Sequence, residues 1–223
     1  MDWGYNDECV ILWATFDPIT EQEERAFVYR ERHDNHKDPV WWAKQFAEQQ
    51  EKDPVDILAM PHDAYSHLGG NKPIVDVFKD ELQKLPADKR PRVVRADKLN
   101  RDLKKSAVNS LHTLLAEASD NKPAIQIHAS CEYLIETLPT IIYAKDSGGE
   151  ELDKNNIDHA LDALFYTLMT ANKVRGKLLN QSELMIKART SFYGGSHAKA
   201  EDMGIDTEAL IRGASKKQKD WKT

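Results

Sequence analysis

The sequence predicts an α/β fold, a mixed β-sheet with helices on both faces. Two strand-like segments, 8–16 and 25–30, lie close enough along the chain to pair antiparallel. After them short apolar segments alternate with helical ones, the order expected of a sheet built with crossovers. A chain of 223 residues, 40% hydrophobic and 30% charged, is long enough for one sizeable buried core.

Each element has a local reason. Glu8 to Phe16 (ECVILWATF) is a short, dense apolar run and reads as a strand; Asp17-Pro18 starts a turn. Arg25 to Arg30 alternates apolar and polar residues, the pattern of a second strand. Asp38-Pro39 opens a helix to about Gln50, with proline suited to the first helical position. Val55 to Met60 reads as a short buried strand, and Pro61 to Lys72 as a loop. Pro73 opens a helix that places Ile74, Val77, Phe78 and Leu82 on one side. Arg92 to Val94 is a strand, Asp97 to Glu117 a long helix, Ala124 to Ile127 a strand and Cys131 to Leu138 a helix. The polar loop 139–154 is expected to form a hairpin around Gly148-Gly149. In the last helix Ile157, Ala160, Leu161, Leu164, Phe165 and Leu168 fall on one face, with Asn156 as the expected N-cap. The folded domain is expected over 1–178, and 179–223, rich in Gly, Ser, Lys and Asp, reads as a partly ordered tail.

Composition excludes some classes. No apolar run approaches the ~20 residues of a membrane span, and Met1-Asp2-Trp3-Gly4 has no basic segment leading into an apolar one, so no signal peptide is expected. Cys9 and Cys131 fit a reducing compartment and form no zinc pattern. No GxxxxGK[ST] occurs, so ATP hydrolysis is not expected. Net charge is −6, yet residues 89–105 carry eight basic against two acidic side chains, and 212–222 five against one. Such a stripe on an acidic body either binds phosphate or is a solvated helix face.

The acids are grouped. Asp2 and Asp7 flank the first turn, Asp63 directly follows the strand ending at Met60, and Asp158, His159 and Asp162 sit at the edge of the last helix's apolar stripe. Asp158 and Asp162 are i,i+4 neighbours. Asp158 in a first turn is explained by the helix dipole, whereas Asp162, read a turn further in, gains little from it. A carboxylate beside a buried face needs a partner, either a cationic side chain or a metal ion. If the three stretches converge, their repulsion calls for a cation, and hard oxygen ligands suit Mg²⁺ or Mn²⁺. His33 and His36 read as surface loop residues, Trp41-Trp42 as helix-to-sheet packing, and Cys131 as core. His62 either orients Asp63, touches a phosphate or is a plain loop residue.

Taken in order, Asp-Trp-Gly-Tyr-Asn-Asp at 2–7, Pro-His-Asp at 61–63 and Asp-His-Ala-Leu-Asp-Ala-Leu-Phe-Tyr at 158–166 resemble the C-terminal nuclease domain of the large terminase subunit of tailed bacteriophages, an RNase H-like fold. Arg95 to Arg101 resembles that family's basic segment before its long helix, and Cys131 to Pro139 is also similar, so the likeness spans about 2–172. The resemblance implies Asp2, Asp63 and Asp162 as catalytic acids. It implies two Mg²⁺ or Mn²⁺ ions held by Asp2, Asp63, Asp158, His159 and Asp162. Duplex DNA would lie over Arg95, Lys98, Arg101, Lys104 and Lys105. It further implies an ATPase domain, portal and small terminase subunit as partners, in the host cell cytoplasm, and no membrane. One departure stands out: in the family the first acid ends a strand, of which only Met1 precedes Asp2 here, so Asp2 is expected to be loosely held, with Asp7 as its alternative. The expected activity is metal-dependent cleavage of duplex DNA with little sequence preference during genome packaging. A resolvase- or integrase-type nuclease, or a DNA- or partner-binding module whose acids only pair with Lys and Arg, are the competing readings.

Overall fold

The computed structural model describes residues 1–21, 23–67, 72–116, 118–145, 152–153 and 156–175. The expected tail and its basic group at 212–222 lie outside the described residues, as does the domain boundary at 178. Five strands and five α-helices are present among the described residues.

Strands β1 (Cys9–Pro18) and β2 (Glu24–Asp34) pair antiparallel, with a register shift at Trp13/Ala14. The sequence reading had the second strand end at Arg30; its pairing continues to Asp34. Beyond β2 lies β5 (Ile125–Ile127), parallel to it. Strands β3 (Ile57–Met60) and β4 (Arg92–Arg95) form a second, parallel pair. A stub of two residues joins the pair to the three-stranded sheet. Asp2 and Val10 exchange both backbone hydrogen bonds, at 2.8 and 2.9 Å, while the Met1 ammonium donates to the Ala59 carbonyl at 3.0 Å. The strands therefore follow as β5, β2, β1, stub, β3, β4, a mixed arrangement.

Alternation along β1 divides the interior in two. Val10 and Leu12 point into a core with Ala26, Val28, α3 (Arg101–Leu115), α4 (Glu132–Thr137) and α5 (His159–Arg175). Cys9, Ile11 and Trp13 point into a second core with β3, α1 (Pro39–Lys52) and α2 (Ile74–Leu82). Helices thus cover both faces, which is why the segment 8–16 is continuously apolar rather than alternating.

The helix ends follow capping chemistry. The Asp38 carboxylate accepts from Trp41 N at 2.8 Å, with Pro39 at the first position. Asn100 Oδ1 accepts from Leu103 N at 2.9 Å, so α3 starts four residues later than the sequence suggested. The Glu31 carboxylate reaches from β2 to the first amides of α4, Tyr133 N at 2.6 Å and Leu134 N at 2.9 Å. Fully buried Gln50 joins α1 to β3: its amide donates to Val55 O and Lys89 O at 2.8 and 3.0 Å and accepts from Val55 N at 3.0 Å. Both cysteines are free and buried, and Trp42 is core while Trp41 packs edge-on against it. His33 is exposed, as the sequence reading has it, though on β2 rather than in a loop, and its ring stacks on Tyr133 at 4.2 Å. The hairpin expected in 139–154 is present as one antiparallel bridge, Tyr143 to Leu152, with residues 146–151 outside the described ones. Among the described residues no helix is long and apolar enough to cross a membrane.

Three expectations for α5 fail together. It begins at His159, and the Asp162 amide bonds to the Asp158 carbonyl at 2.7 Å. Asn156 is not its cap: the Asn156 side chain brackets Ile142, accepting from its N–H at 2.9 Å and donating to its carbonyl at 2.8 Å. Ile157 precedes the helix and is 63% exposed, outside the apolar face.

Candidate functional site

Three separate stretches place acids in one field. The stub carries Asp2; the turn after β3 carries Asp63; the start of α5 carries Asp158, His159 and Asp162. Asp2 is positioned by its own backbone, bonded to Val10 on β1. The chain then turns sharply to reach β1, and Gly4 permits it: a Cβ there would stand 2.7 Å from the Asp7 carbonyl oxygen. The Asp2 side chain is 14% exposed and lies 3.1 Å from His159 Nδ1. Asp7 is exposed, so the carboxylate anchored to the sheet is Asp2.

Burial pushes the Asp2 carboxyl above its ordinary range; contact with His159 pulls it down and the Asp63 charge adds to the rise. The bond to Asp2 raises His159, against burial. Asp63 is exposed on its one-turn 3₁₀ segment. Burial pushes Asp162 up to about 6, opposed by Lys104 and reinforced by the charges of Asp158 and Asp2. Asp2 therefore feels the charge of Asp63, and Asp162 those of Asp2 and Asp158, across long stretches of chain.

Lys104, on α3, enters this group. Its ammonium lies 2.5 Å from Asp158 Oδ2, 2.8 Å from Asp162 Oδ1 and 3.0 Å from Asp162 Oδ2. Lys104, which the sequence reading groups with the DNA-facing stripe, turns its side chain inward to pair with acids. Burial alone would lower Lys104, but Asp162 and Asp158 carry it above the ordinary lysine value. The partner that Asp162 requires is thus present as a lysine. The later start of α5 also puts Asp162 in the first turn, so the helix dipole supports its charge more than the sequence reading allowed.

Several polar atoms here are left over. Asp162 Oδ1 is buried and, lying out of line with Lys104, makes no hydrogen bond; Glu8 Oε2 and the Tyr133 hydroxyl are likewise buried without one. Burial pushes Tyr133 up to about 12, with Glu8 and Asp2 adding to it. Tyr166, one turn beyond Asp162, is raised by burial and then by the charges of Asp2, Asp162, Asp63 and Asp158. Sequence reasoning missed Glu8, Tyr133 and Tyr166. Only Tyr166 carried a signal, its i+4 spacing from Asp162.

The donor set is hard oxygen plus one imidazole, so its chemistry suits a divalent ion, although Asp162 Oδ1 lies against the Lys104 ammonium. As the side chains stand, no three His, Cys, Asp or Glu among the described residues are gathered tightly enough to share one ion. Of the proposed DNA contacts, Arg95, Lys98 and Arg101 are exposed and Lys105 is half-buried; the Arg95 guanidinium lies 5.0 Å over the Tyr65 ring. No protein-family profile, curated protein or solved structure matches this chain.

Proposed function

We propose that the chain is a metal-dependent endonuclease with an RNase H-like fold, cutting duplex DNA with little sequence preference, in the manner of a phage terminase nuclease domain. The observation that carries the reading is that Asp2, from the first residues of the chain, lies against His159 between Asp158 and Asp162 at the start of α5, with the charge of Asp63 felt at Asp2. Repulsion among such groups is costly unless a cation is shared. The position of Asp2, bridged to β1 and one residue from the Met1 contact with β3, supports the same reading.

Asp2, Asp63 and Asp162 would hold Mg²⁺ or Mn²⁺, with Asp158 and His159 beside them. Bound divalent ions supply charge that lowers the pKa of water and stabilises a leaving oxygen. The chain's own residues fix the carboxylates. The stub holds Asp2, α5 sets the spacing of Asp158 and Asp162, and His159 orients the Asp2 carboxylate. Arg95, Lys98 and Arg101 would bind the DNA backbone without reading sequence.

A second reading, a DNA- or partner-binding module, is favoured by one observation: Lys104 already pairs with Asp158 and Asp162. Plasmid nicking with and without Mn²⁺ decides between them. Asp162→Asn keeps size but removes charge, and is expected to abolish nicking without lowering the melting temperature. A variant that melts several degrees early and still nicks would remove Asp162 from the catalytic set. Preference for branched over linear duplex would point instead to a resolvase-type nuclease.

A further inference from the structure

Lys104 reaches Asp158 and Asp162 from another helix, across 54 and 58 residues of chain. Its ammonium lies within 3.0 Å of three of their oxygens. It carries one charge where two carboxylates converge, with Asp2 adding a third in the same field. The pairing is therefore incomplete, and Asp162 Oδ1 remains without a hydrogen bond. A lysine ammonium is a compact point charge on a flexible four-carbon stem, able to leave without moving its helix. The side chain is 23% exposed, so it has a path to solvent.

We infer that Lys104 is a tethered stand-in cation: its ammonium occupies the place where Asp158 and Asp162 would share a hard divalent ion, and ion entry drives it out. The inference rests on the divalent-ion reading above and adds a residue that sets metal affinity. Without the ion, Lys104 holds the carboxylates together; with it, the lysine is released toward the surface on which Arg101 stands.

Calorimetric titration of Mn²⁺ into the whole chain, without DNA, tests this. Lys104→Met should bind Mn²⁺ about tenfold more tightly than wild type, since no ion pair must first be broken, while Lys44→Met, at an exposed position on α1, should match wild type. Equal or weaker binding by Lys104→Met overturns the inference and leaves the metal reading standing. Absence of Mn²⁺ binding in every chain overturns both. A measurement on wild type covers the case in which Lys104→Met fails to fold: amine-reactive labelling read by mass spectrometry should rise several-fold at Lys104 on adding Mn²⁺, but not at Lys98. Unchanged labelling of Lys104 also overturns the inference.

Discussion

At the scale of single residues, the acid cluster makes stability depend on pH with a definite sign. Asp2, His159 and Asp162 are all raised in the folded chain, so between their unfolded and folded pKa values the folded state binds more protons. Their shared effect is stability that is greatest at low pH and lost as pH rises. For Asp162 the window runs from about 4, the ordinary carboxylate value, to about 6. The Met1 ammonium, lowered to about 6 by burial, acts in the opposite sense, so the test is a difference. Melting temperature should fall more steeply from pH 4 to 6.5 in wild type than in Asp162→Asn. The gap should be worth on the order of 2 kcal/mol at neutral pH, in the variant's favour. Parallel curves would mean that Asp162 is ionised in both states and stabilised by Lys104. The sequence showed that Asp162 needs a partner, because spacing places it beside a buried face. It could not show which partner, because Lys104 comes from a separate helix, and a run of basic residues reads the same whether its members face water or acids.

Among the elements, the stub borders a cavity. Beyond Met1 a cavity of about 450 Å³ runs between Ile11–Phe16 on β1 and Asp53–Ala59 at β3, with Thr167, Thr170 and Ala171 of α5 along its side. Because Val10 bonds to Asp2, alternation aims the Leu12 amide and carbonyl into the same gap. Two strand edges about one strand apart fit an extended segment continuing the stub, antiparallel to β1. About five residues ahead of Met1, rising ~3.3 Å each, would span the gap. An added segment of alternating β-branched and small residues should raise the melting temperature by several degrees and, at fixed Mn²⁺, raise nicking by holding Asp2 more firmly. A Gly-Ser segment of equal length is the control, and equal melting of the two chains would show that the gap does not accept a strand. The sequence reading expects a loosely held Asp2 from the single residue before it, whereas both backbone groups of Asp2 bond to Val10. It anticipated most other elements, since apolar period and capping residues are local signals. The start of α5 was misplaced because Asn156, a good cap by type, is engaged by Ile142 across the 139–154 loop.

For the whole molecule, the question is how a chain of net charge −6 would hold DNA against a cluster of carboxylates. The topology separates the two signs while keeping them adjacent. In the β3–β4 pair Met60 lies opposite Arg95, so the turn bearing Asp63 and the start of the basic stripe leave the same sheet end side by side. Arg95 over Tyr65 ties that turn to the stripe, and the exposed Lys98 and Arg101 continue it to α3. Phosphates following this path would pass beside the acids rather than over them. On the proposed reading, the inward turn of Lys104 would set it apart from the DNA-facing basic residues. Arg95→Ala, Lys98→Ala and Arg101→Ala together should weaken duplex binding to all sequences alike and reduce the slope of log affinity against log salt by about 2 to 3, the value for three lost phosphate contacts. Lys104→Ala alone should leave that slope within about half a unit of wild type, because its charge is spent on Asp158 and Asp162. Fluorescence anisotropy with a short labelled duplex across a salt series reads both. Binding by the triple variant equal to wild type at every salt concentration would move the DNA surface off this stripe and onto other basic residues, with 212–222 the next to replace. A loss of slope in Lys104→Ala as large as one full contact would place that lysine back on the DNA and remove it from the acid pair.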